Sequence, residues 1–456
     1  MTDFAALHEA QRQYFLSGAT RPLSFRLAML ERLHDAVVRK ESAIADALMT
    51  DLHKHPYEAY LCETGIVLDE IRFHRKHLAG WMRDKKRIPS LAQMPAYGRI
   101  SPEPYGTVLI LSPWNYPVQL CLAPLIGAIS AGNCAVVKPS SQAPAAGRVI
   151  AEIIAEAFPP EYITTVECSR TDADALLNQS WDYIFFTGSA EAGKTVLSAA
   201  ARYLTPCSLE LGGKSPVIVD ESADLALAAR RIAFGKVLNA GQTCIAPDYL
   251  LIHESVRDAF IEEYKKALAD FFRKDPSADG MVRIISPRHY ERVKALLSCG
   301  RAVIGGGCND SDRSAAPTVL LDVSPGDAVM QQEIFGPILP VMTWRSLDEA
   351  ISFIQSRPKP LALYLFTKRK ATERRIFRSC SFGGGCVNDT VLHVAGPRMP
   401  FGGVGSSGMG SYHGEQSFRT FTHERSILHA GGLIDVPLRY MPYTEQGARL
   451  LHRILK

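Results

Sequence analysis

Two short runs carry the side chains best suited to chemistry. Cys244 ends the run N-A-G-Q-T-C, and Glu210 opens the run E-L-G-G-K. A thiol and a carboxylate together supply a nucleophile and a base, which is what covalent catalysis through a thioester requires. Each run also has a structural interpretation, because most cysteines are small buried hydrophobes and a Glu before two glycines also suits the end of a strand. For either run taken alone, both interpretations stay open.

A third run, Gly188 to Thr195, satisfies the P-loop pattern and follows the strand-like run Y-I-F-F at 183–186. A strand that leads through a glycine-flanked turn into a helix presents free backbone N–H groups and a helix dipole to a phosphate. A nucleoside triphosphate and the pyrophosphate of a dinucleotide fit that arrangement equally well. The run V-I-V-D-E at 217–221 resembles the metal-holding strand of a P-loop phosphohydrolase, so this function is kept as an alternative.

The run G-V-G-S-S-G at 403–408 matches a dinucleotide fingerprint in letters only. No strand–helix–strand unit follows it, and it lies in the last eighth of the chain. We interpret it as a glycine-rich loop of the active site or of a domain crossing.

The elements that must position these runs follow from periodicity. Up to about Arg87 apolar residues recur three and four apart, which predicts helices. From Gly106 onward short apolar runs alternate with helical stretches, which is typical of a doubly wound parallel sheet. The strand-like runs are too many for one open sheet, so we expect a second α/β domain from about Glu210.

The bulk composition excludes several classes of function. A net charge of +4 over 456 residues gives no basic stripe for nucleic acid, and we interpret the cluster Arg83 to Arg87 as a solvated helix end. Ten cysteines without a C-x-x-C pair suggest neither a metal site nor a disulfide framework, which favours a reducing, cytoplasmic setting. The uncharged stretch from Pro104 to Val137 predicts buried strands and a buried helix rather than a membrane span, because prolines, glycines and amides divide it.

Taken together, these runs resemble the aldehyde dehydrogenase superfamily from about residue 20 to about residue 430. The length, the run C-I-A-P-D-Y after the thiol and the run G-S-Y-H-G-E-Q-S-F at 410–418 are similar to the short class-3 branch, which acts on fatty and aromatic aldehydes. The motifs that carry the resemblance stand in order: P-W-N-Y-P at 113–117, K-P-S at 138–140, F-T-G-S at 186–189, L-E-L-G-G-K at 209–214, G-Q-T-C at 241–244, E-I-F-G-P at 333–337 and P-F-G-G-V-G-S-S-G-M-G at 400–410.

The resemblance implies an α/β fold with two Rossmann-like open domains and a small β-extension for oligomerisation. It also implies a homodimer, a small-molecule aldehyde as substrate, and NAD or NADP as cofactor. The polar run F-R-T-F-T-H at 418–423 is expected to pair with the excursion after Pro89 in a neighbouring subunit. The expected divisions are 1–87 with 106–209 for NAD(P) binding, 210–417 for catalysis, 88–105 with 418–430 for oligomerisation, and 431–456 as a C-terminal tail.

The resemblance also implies catalytic roles. Cys244 is expected to attack the aldehyde carbonyl and form a thiohemiacetal. The side-chain amide of Asn115 and the backbone N–H of Cys244 are expected to hold the oxyanion. After hydride transfer, Glu210 is expected to activate the water that hydrolyses the acyl thioester. A coenzyme-A-acylating enzyme is the alternative, and a hydrolytic base such as Glu210 argues against it.

Cofactor contacts are implied at five further positions. Gly188, Ser189 and Gly193 resemble the pyrophosphate-binding turn of the family. Glu333 resembles the residue that holds the nicotinamide ribose, with the possible second task of moving protons, and Phe335 resembles the residue that borders the ring.

Two more positions bear on the choice of cofactor. Lys138 resembles the lysine that contacts the adenosine ribose. Three residues later the family often has a glutamate that repels a 2′-phosphate, but Ser141 stands there. We therefore expect NADP to be accepted alongside NAD.

Four residues carry weaker expectations. His413 is interpreted as packing under the glycine loop, and Asn388 is open between an active-site role and a strand cap. His74 and His77 share a helix face and are expected at the surface, because no further ligand completes a metal set.

Overall fold

The computed structural model describes residues 3–90, 93–167, 172–272 and 281–455. The chain begins with a helical region, as its periodicity predicts, and β-structure starts only after residue 84. The helices of this region are α1 (Phe4–Leu16), α2 (Leu23–Arg39), α3 (Glu41–Leu52), α4 (Pro56–Ala59) and α5 (Gly65–Trp81), with a π-helical turn, Tyr60–Thr64, between the last two.

The first sheet is a six-stranded, mostly parallel layer. Its spatial order is β17-β7-β6-β3-β4-β5, with only β17 antiparallel. The strands are β3 (Thr107–Leu111), β4 (Cys134–Lys138), β5 (Ile163–Thr165), β6 (Tyr183–Gly188), β7 (Cys207–Leu211) and β17 (Gly408–Met409). The connecting helices are α6 (Gln119–Ala131), α7 (Pro144–Ala157), α8 (Asp172–Leu177) and α9 (Ala190–Ala201).

The uncharged stretch lies inside this first layer. Every residue of α6 is buried, and β3 and β4 on either side of it are buried over nearly their whole length. A helix that is apolar all round must be enclosed by other elements, which accounts for the absence of charge. No helix among the described residues is both long enough and apolar enough to cross a membrane.

The second sheet has seven strands in the order β10-β13-β14-β9-β8-β15-β16, and only β10 is antiparallel. The strands are β8 (Pro216–Val219), β9 (Tyr249–His253), β10 (Arg301–Ile304), β13 (Thr318–Leu321), β14 (Ile338–Trp344), β15 (Ala362–Phe366) and β16 (Gly384–Val387), and β11 (Cys308–Asn309) pairs separately with β12 (Ser314–Ala315). The helices of this region are α10 (Leu225–Val237), α11 (Arg257–Phe271), α12 (Pro287–Leu296), α13 (Ala328–Gln331), α14 (Leu347–Gln355) and α15 (Lys370–Ser379).

A third, antiparallel sheet contains β1 (Lys85–Arg87), β2 (Ala96–Pro104) and β18 (Thr422–Ala430). Helix α5 ends at Trp81 and residues 85–87 form an edge strand, so the prediction of a helix end at this basic cluster was wrong. The C-terminal helices are α16 (Glu415–Thr420) and α17 (Glu445–Ile454).

The run 418–423 differs from its predicted form. Its first part belongs to α16, and β18 begins only at Thr422. Phe418 and Phe421, three residues apart, are both buried, which is the spacing of a helix. The alternation of polar and apolar residues in this run therefore does not produce a strand. The strand that follows, β18, pairs with β2 of the same chain over nine residues, from Thr422 opposite Pro104 onward. The pairing expected with a neighbouring subunit is therefore made within one chain.

Candidate active site

The carboxyl ends of the parallel strands bring the predicted residues to one edge of the first sheet. Asn115 follows β3, Lys138 ends β4, Gly188 ends β6, and Glu210 lies within β7. Such an edge is where open α/β sheets bind ligands. A cleft of about 260 Å³ opens there, and the predicted residues that line it are Asn115, Gly188, Ser189, Glu210, Cys244, Glu333 and Phe335.

The Cys244 loop is bent sharply by its own sequence. Helix α10 gives way to a 3₁₀ turn, and Asn239, Ala240 and Gly241 all have positive φ. A β-carbon on Gly241 would lie 2.3 Å from the carbonyl oxygen of Gly336, so only glycine lets the two backbones approach this closely. The run that ends at Cys244 therefore packs directly against the E-I-F-G-P run.

Burial raises the pKa of the Cys244 thiol, and the carboxyl groups of Glu333 and Glu210 raise it further. The backbone N–H groups of Cys244 and Ile245 act in the opposite direction, because they hydrogen-bond the sulphur and stabilise the thiolate. The thiol is thus held protonated until a base or a bound ligand changes its surroundings.

Glu210 is a buried carboxyl group with no hydrogen-bond partner among the described residues. Its side chain is 3% exposed, and both carboxyl oxygens lack a partner. Burial raises its pKa well above the usual value. Strand β17 holds the segment from the other side by placing Gly408 opposite Glu210. A carboxyl group in a cleft whose pKa is shifted in this way is a candidate for acid–base chemistry on a bound molecule.

Asn115 is 3% exposed and also lines the cleft. Its side-chain Nδ2 donates to the carbonyl oxygen of Gln242 at 2.9 Å. A side-chain amide carries two N–H donors, so the second one remains for a ligand in the cleft. This bond connects the amide directly to the loop that carries Cys244.

The backbone just before Glu333 is fixed by Lys214, the lysine of the E-L-G-G-K run. Lys214 binds Asp248 and donates to the carbonyl oxygens of Val329 and Gln332, at 2.8 Å each. Burial, with the nearby charge of Asp248, raises the pKa of Glu333 to about 8. Its Oε1 has no partner among the described residues, which leaves an acceptor for a ligand hydroxyl.

The first glycine of the E-L-G-G-K run, Gly212, is required by the space around it. A β-carbon on Gly212 would lie 2.0 Å from Oε2 of Glu333. Any larger residue would therefore displace the carboxyl group, so the glycine keeps Glu210 and Glu333 within one cleft.

The turn from β6 to α9 has free backbone N–H groups at its helix end. Ser189 is the N-cap, and its Oγ accepts a hydrogen bond from the N–H of Ala192 at 3.4 Å. Lys194 lies at the surface and pairs with Glu191, instead of folding over the turn as a P-loop lysine must. The geometry therefore disfavours the phosphohydrolase alternative.

Three predicted cofactor residues lie outside the lining of the cleft. Gly193 is buried on the underside of α9, where a β-carbon would lie 2.7 Å from Cδ2 of Leu211, so it lets the helix pack closely on β7. Lys138 is half-buried at the end of β4, and Ser141 is exposed in the turn before α7. The last two lie at the same edge of the sheet as the cleft.

Sequence reasoning missed two charged or titratable residues of the cleft, His289 and Arg292 on α12. Arg292 donates to the carbonyl oxygens of Glu333 and Ile334 at 3.0 and 2.6 Å, and so supports the E-I-F-G-P run. The imidazole of His289 lies 5.0 Å from the ring of Trp114, and burial lowers its pKa. Their i, i+3 spacing is the only signal in the sequence, and many surface helices share it.

The weaker expectations are resolved by contacts. His74 is completely buried and hydrogen-bonds Glu70 and Ser130, so its prediction as a surface residue was wrong. His413 is buried beside Glu70, consistent with a structural role. Asn388 bonds both backbone groups of Thr367 and so joins the ends of two strands.

The cleft fits a nicotinamide dinucleotide. A helix N-terminus at Ser189 suits a pyrophosphate, and the unpartnered Oε1 of Glu333 suits a ribose hydroxyl. The cleft brings a thiol, an unengaged carboxyl group and an amide donor beside that turn. Fold and site together are those of a dinucleotide-binding α/β enzyme.

Comparison with known proteins gives the family. The model of the aldehyde dehydrogenase family matches residues 2–427. The 4,4'-diaponeurosporen-aldehyde dehydrogenase of Staphylococcus aureus (strain NCTC 8325 / PS 47) is 47% identical over 95% of both chains. The dimeric NADP-preferring aldehyde dehydrogenase of Mus musculus is 42% identical over 94% of this chain and 95% of its own. A structure of Staphylococcus aureus AldH in its substrate-bound state superposes with a TM-score of 0.97 at 44% identity and covers both chains fully.

The chain belongs to the aldehyde dehydrogenase family. It is an NAD(P)-dependent oxidoreductase that converts an aldehyde to the carboxylic acid, and its α/β fold is the one predicted from the sequence.

Proposed function

We propose that Cys244 carries the acyl group as a thioester and that Glu210 directs the water that releases it. The observation that carries this proposal is the Glu210 carboxyl group, which is buried, unpartnered and in the same cleft as Cys244. A buried carboxyl with a raised pKa is a stronger base than an exposed one once it is ionised.

The steps follow from the positions of these groups. The Cys244 thiol gives up its proton to solvent and its thiolate adds to the aldehyde carbonyl. The resulting oxyanion accepts hydrogen bonds from the Asn115 amide and the Cys244 backbone N–H. Bound nicotinamide supplies the acceptor for the hydride that leaves the thiohemiacetal carbon. Glu210 then takes a proton from water, the hydroxide adds to the thioester carbonyl, and the C–S bond breaks to return the thiolate.

The remaining cleft residues hold the cofactor in this proposal. The N–H groups of the turn at Gly188 and Ser189 bind the pyrophosphate, with Gly193 allowing the helix to lie close to the sheet. Glu333 accepts a hydrogen bond from the nicotinamide ribose, and Phe335 borders the ring. Lys138 at the sheet edge contacts the adenosine ribose.

Hydrolysis rather than transfer to coenzyme A is expected. Purified protein given an aldehyde and NAD or NADP without coenzyme A should form one carboxylic acid for each reduced cofactor, because Glu210 activates water. Absorbance of the reduced cofactor and chromatography of the acid measure the two products. Turnover that requires coenzyme A and yields an acyl thioester would instead support the acylating alternative.

The pH dependence of turnover should report the Glu210 carboxylate. Where deacylation limits turnover, kcat is expected to rise with pH, because the base acts only when deprotonated and burial raises its pKa. The rise should therefore lie above the usual titration range of glutamate, about pH 4 to 5. Stopped-assay kcat values across that range and beyond it test this expectation. A profile that is already flat from pH 5 upward would remove Glu210 as the base.

We also propose that NADP is accepted, because Ser141 places no negative charge beside the adenosine ribose. The relative from Mus musculus is described by its name as NADP-preferring. Ser141→Glu is expected to lower kcat/KM for NADP relative to NAD by at least about tenfold, or ~1.4 kcal/mol, through repulsion of the 2′-phosphate. Ser141→Gln, which has the same reach without charge, is the control. A ratio equal in both variants would contradict the electrostatic explanation.

A homodimer in the cytoplasm completes the proposal. The outer edge of β18 has no partner strand among the described residues, and an unpaired edge favours strand pairing with a second copy. The name of the Mus musculus relative describes it as dimeric. The proposed cofactor domain is 1–87 with 106–209, so that the boundary falls inside β7, one residue before Glu210. The catalytic domain, 210–417, then follows.

A further inference from the structure

We propose that the buried ion pair of Lys54 and Glu63 positions Asn115 for the oxyanion step, which makes Lys54 a positioning residue of this enzyme. This inference rests on the proposed function, because Lys54 is inferred to affect the reaction through the side-chain amide of Asn115, the proposed oxyanion donor.

The ion pair is enclosed completely. Both side chains are 0% exposed, and Nζ of Lys54 lies 2.5 Å from Oε1 of Glu63. The ammonium group also donates to the backbone carbonyl oxygen of Asn115 at 3.3 Å and lies 4.4 Å from the centre of the Tyr116 ring. A buried charge of this kind is retained only where its partners are fixed in place.

Glu63 also binds the residues that follow Asn115 in the segment 115–119. Its Oε2 accepts hydrogen bonds from the N–H groups of Val118 at 2.8 Å and Gln119 at 3.4 Å. Helix α6 begins at Gln119, and its N-cap residue Val118 has no side chain able to cap it. Glu63 therefore caps this helix from another element, so one ion pair holds both ends of the segment 115–119.

A π-helical turn makes this possible. In residues Tyr60–Thr64 the N–H of Gly65 bonds to the carbonyl of Tyr60, five residues back. Residues five apart then lie closer to one face than in an α-helix. This brings Glu58 and Glu63 into one cluster, where Oε1 of Glu58 accepts from the N–H of Asn239 at 2.8 Å.

Asn239 joins the cluster to the nucleophile loop. Its Nδ2 donates to the carbonyl oxygen of Asn115 at 2.9 Å and to that of Gln242 at 3.0 Å. The carbonyl of Asn115 thus accepts from two side chains, while its amide donates to Gln242. The peptide and the side chain of Asn115 are each held by hydrogen bonds, which narrows the range of directions in which the free N–H of the amide can point.

This constraint matters because the oxyanion exists only in the transition state. A donor helps the reaction only if it already points at the position that the oxyanion will occupy. A misplacement of about 1 Å costs about 100-fold in rate. Lys54 does not line the cleft, and its hydrogen bond to the Asn115 carbonyl is its direct route to the oxyanion donor.

The test is a double-mutant cycle on the full-length enzyme. Lys54→Met with Glu63→Gln removes both charges of the ion pair together and keeps similar side-chain volumes. It is combined with Asn115→Ala, and the single-turnover rate of cofactor reduction is measured with a saturating aldehyde. The Cys244 alkylation rate with iodoacetamide and the Kd of NADP are measured on each variant to verify that the nucleophile and the cofactor site are intact.

The pair variant is expected to lower the rate about 10- to 100-fold when Asn115 is present and less than about twofold when it is alanine. Alkylation and cofactor affinity should stay within about twofold of the parent enzyme. An equal loss in both backgrounds, or no loss in either, overturns the positioning role. A rate unaffected by Asn115→Ala alone would mean that the proposed function itself is wrong at the oxyanion step.

Two further variants keep the result interpretable. Arg26→Met removes another buried cation that donates to backbone carbonyls, those of Thr20 and Ser130, away from the cleft. It should lower the unfolding temperature without changing the single-turnover rate. If the pair variant does not fold, Lys54→Arg retains the ion pair while altering the reach to the Asn115 oxygen, and the same dependence on Asn115 decides the question.

Discussion

Replacement of Cys244 by serine should lower aldehyde oxidation by about 10⁴-fold or more, because the covalent step loses its nucleophile. A hydroxyl group is a much weaker nucleophile than a thiolate at neutral pH, and its proton is harder to remove. The backbone N–H groups of Cys244 and Ile245 that stabilise the thiolate cannot offset that difference. The initial rate of cofactor reduction with a saturating aldehyde measures the effect.

Cys299→Ser is the matched control, because Cys299 is a half-buried free cysteine outside the cleft. It should retain the parent rate, and both variants should bind NADP normally. Substantial aldehyde oxidation by the Cys244→Ser enzyme would rule out the covalent route, whatever the behaviour of the other residues.

Replacement of Glu210 by glutamine should separate the two halves of the reaction. Steady-state turnover is expected to fall by about 10²- to 10⁴-fold, because no base remains to activate water. Formation of the thioester needs no base at that position, so the first turnover should persist as a burst of one reduced cofactor per active site. Neither oxygen of Glu210 has a partner among the described residues, so the substitution should cost little folding free energy. Stopped-flow absorbance separates the burst from the steady state.

Glu333→Gln is the informative comparison for that experiment. Glu333 lies in the same cleft, and its pKa of about 8 makes it the other candidate base. In the proposed function, replacement of Glu333 raises KM for the cofactor by a larger factor than it lowers the rate of deacylation. A deacylation defect as large as that of Glu210→Gln would instead assign proton transfer to both carboxyl groups.

The sequence alone was sufficient to predict the location of residues whose surroundings are formed by their neighbours along the chain. Asn115 and Glu210 lie in short runs next to glycine or proline at parallel strands that end at one edge of the first sheet. Cys244 reaches the same cleft on the loop after α10. The alternation of strands and helices also predicted the two sheets. Local patterns of this kind survive folding because they depend on neighbours along the chain.

Long-range partners could not be predicted in this way. Lys54 meets Asn115 across 61 positions, and nothing in its run indicates that the lysine is buried. His74 is buried because Glu70 and Ser130 satisfy its ring, a fact that periodicity does not contain. His289 and Arg292 reach the cleft only because α12 packs beside the E-I-F-G-P run.

One measurement tests the division of work between Cys244 and Glu210 most directly. The Glu210→Gln enzyme is mixed with an aldehyde and NADP, quenched in acid, and analysed by intact-protein and peptide mass spectrometry. One acyl group per chain, attached to the peptide that contains Cys244 and formed together with one reduced cofactor, is the predicted result. A burst of reduced cofactor without an acyl adduct, or an adduct on another residue, would contradict the thioester mechanism.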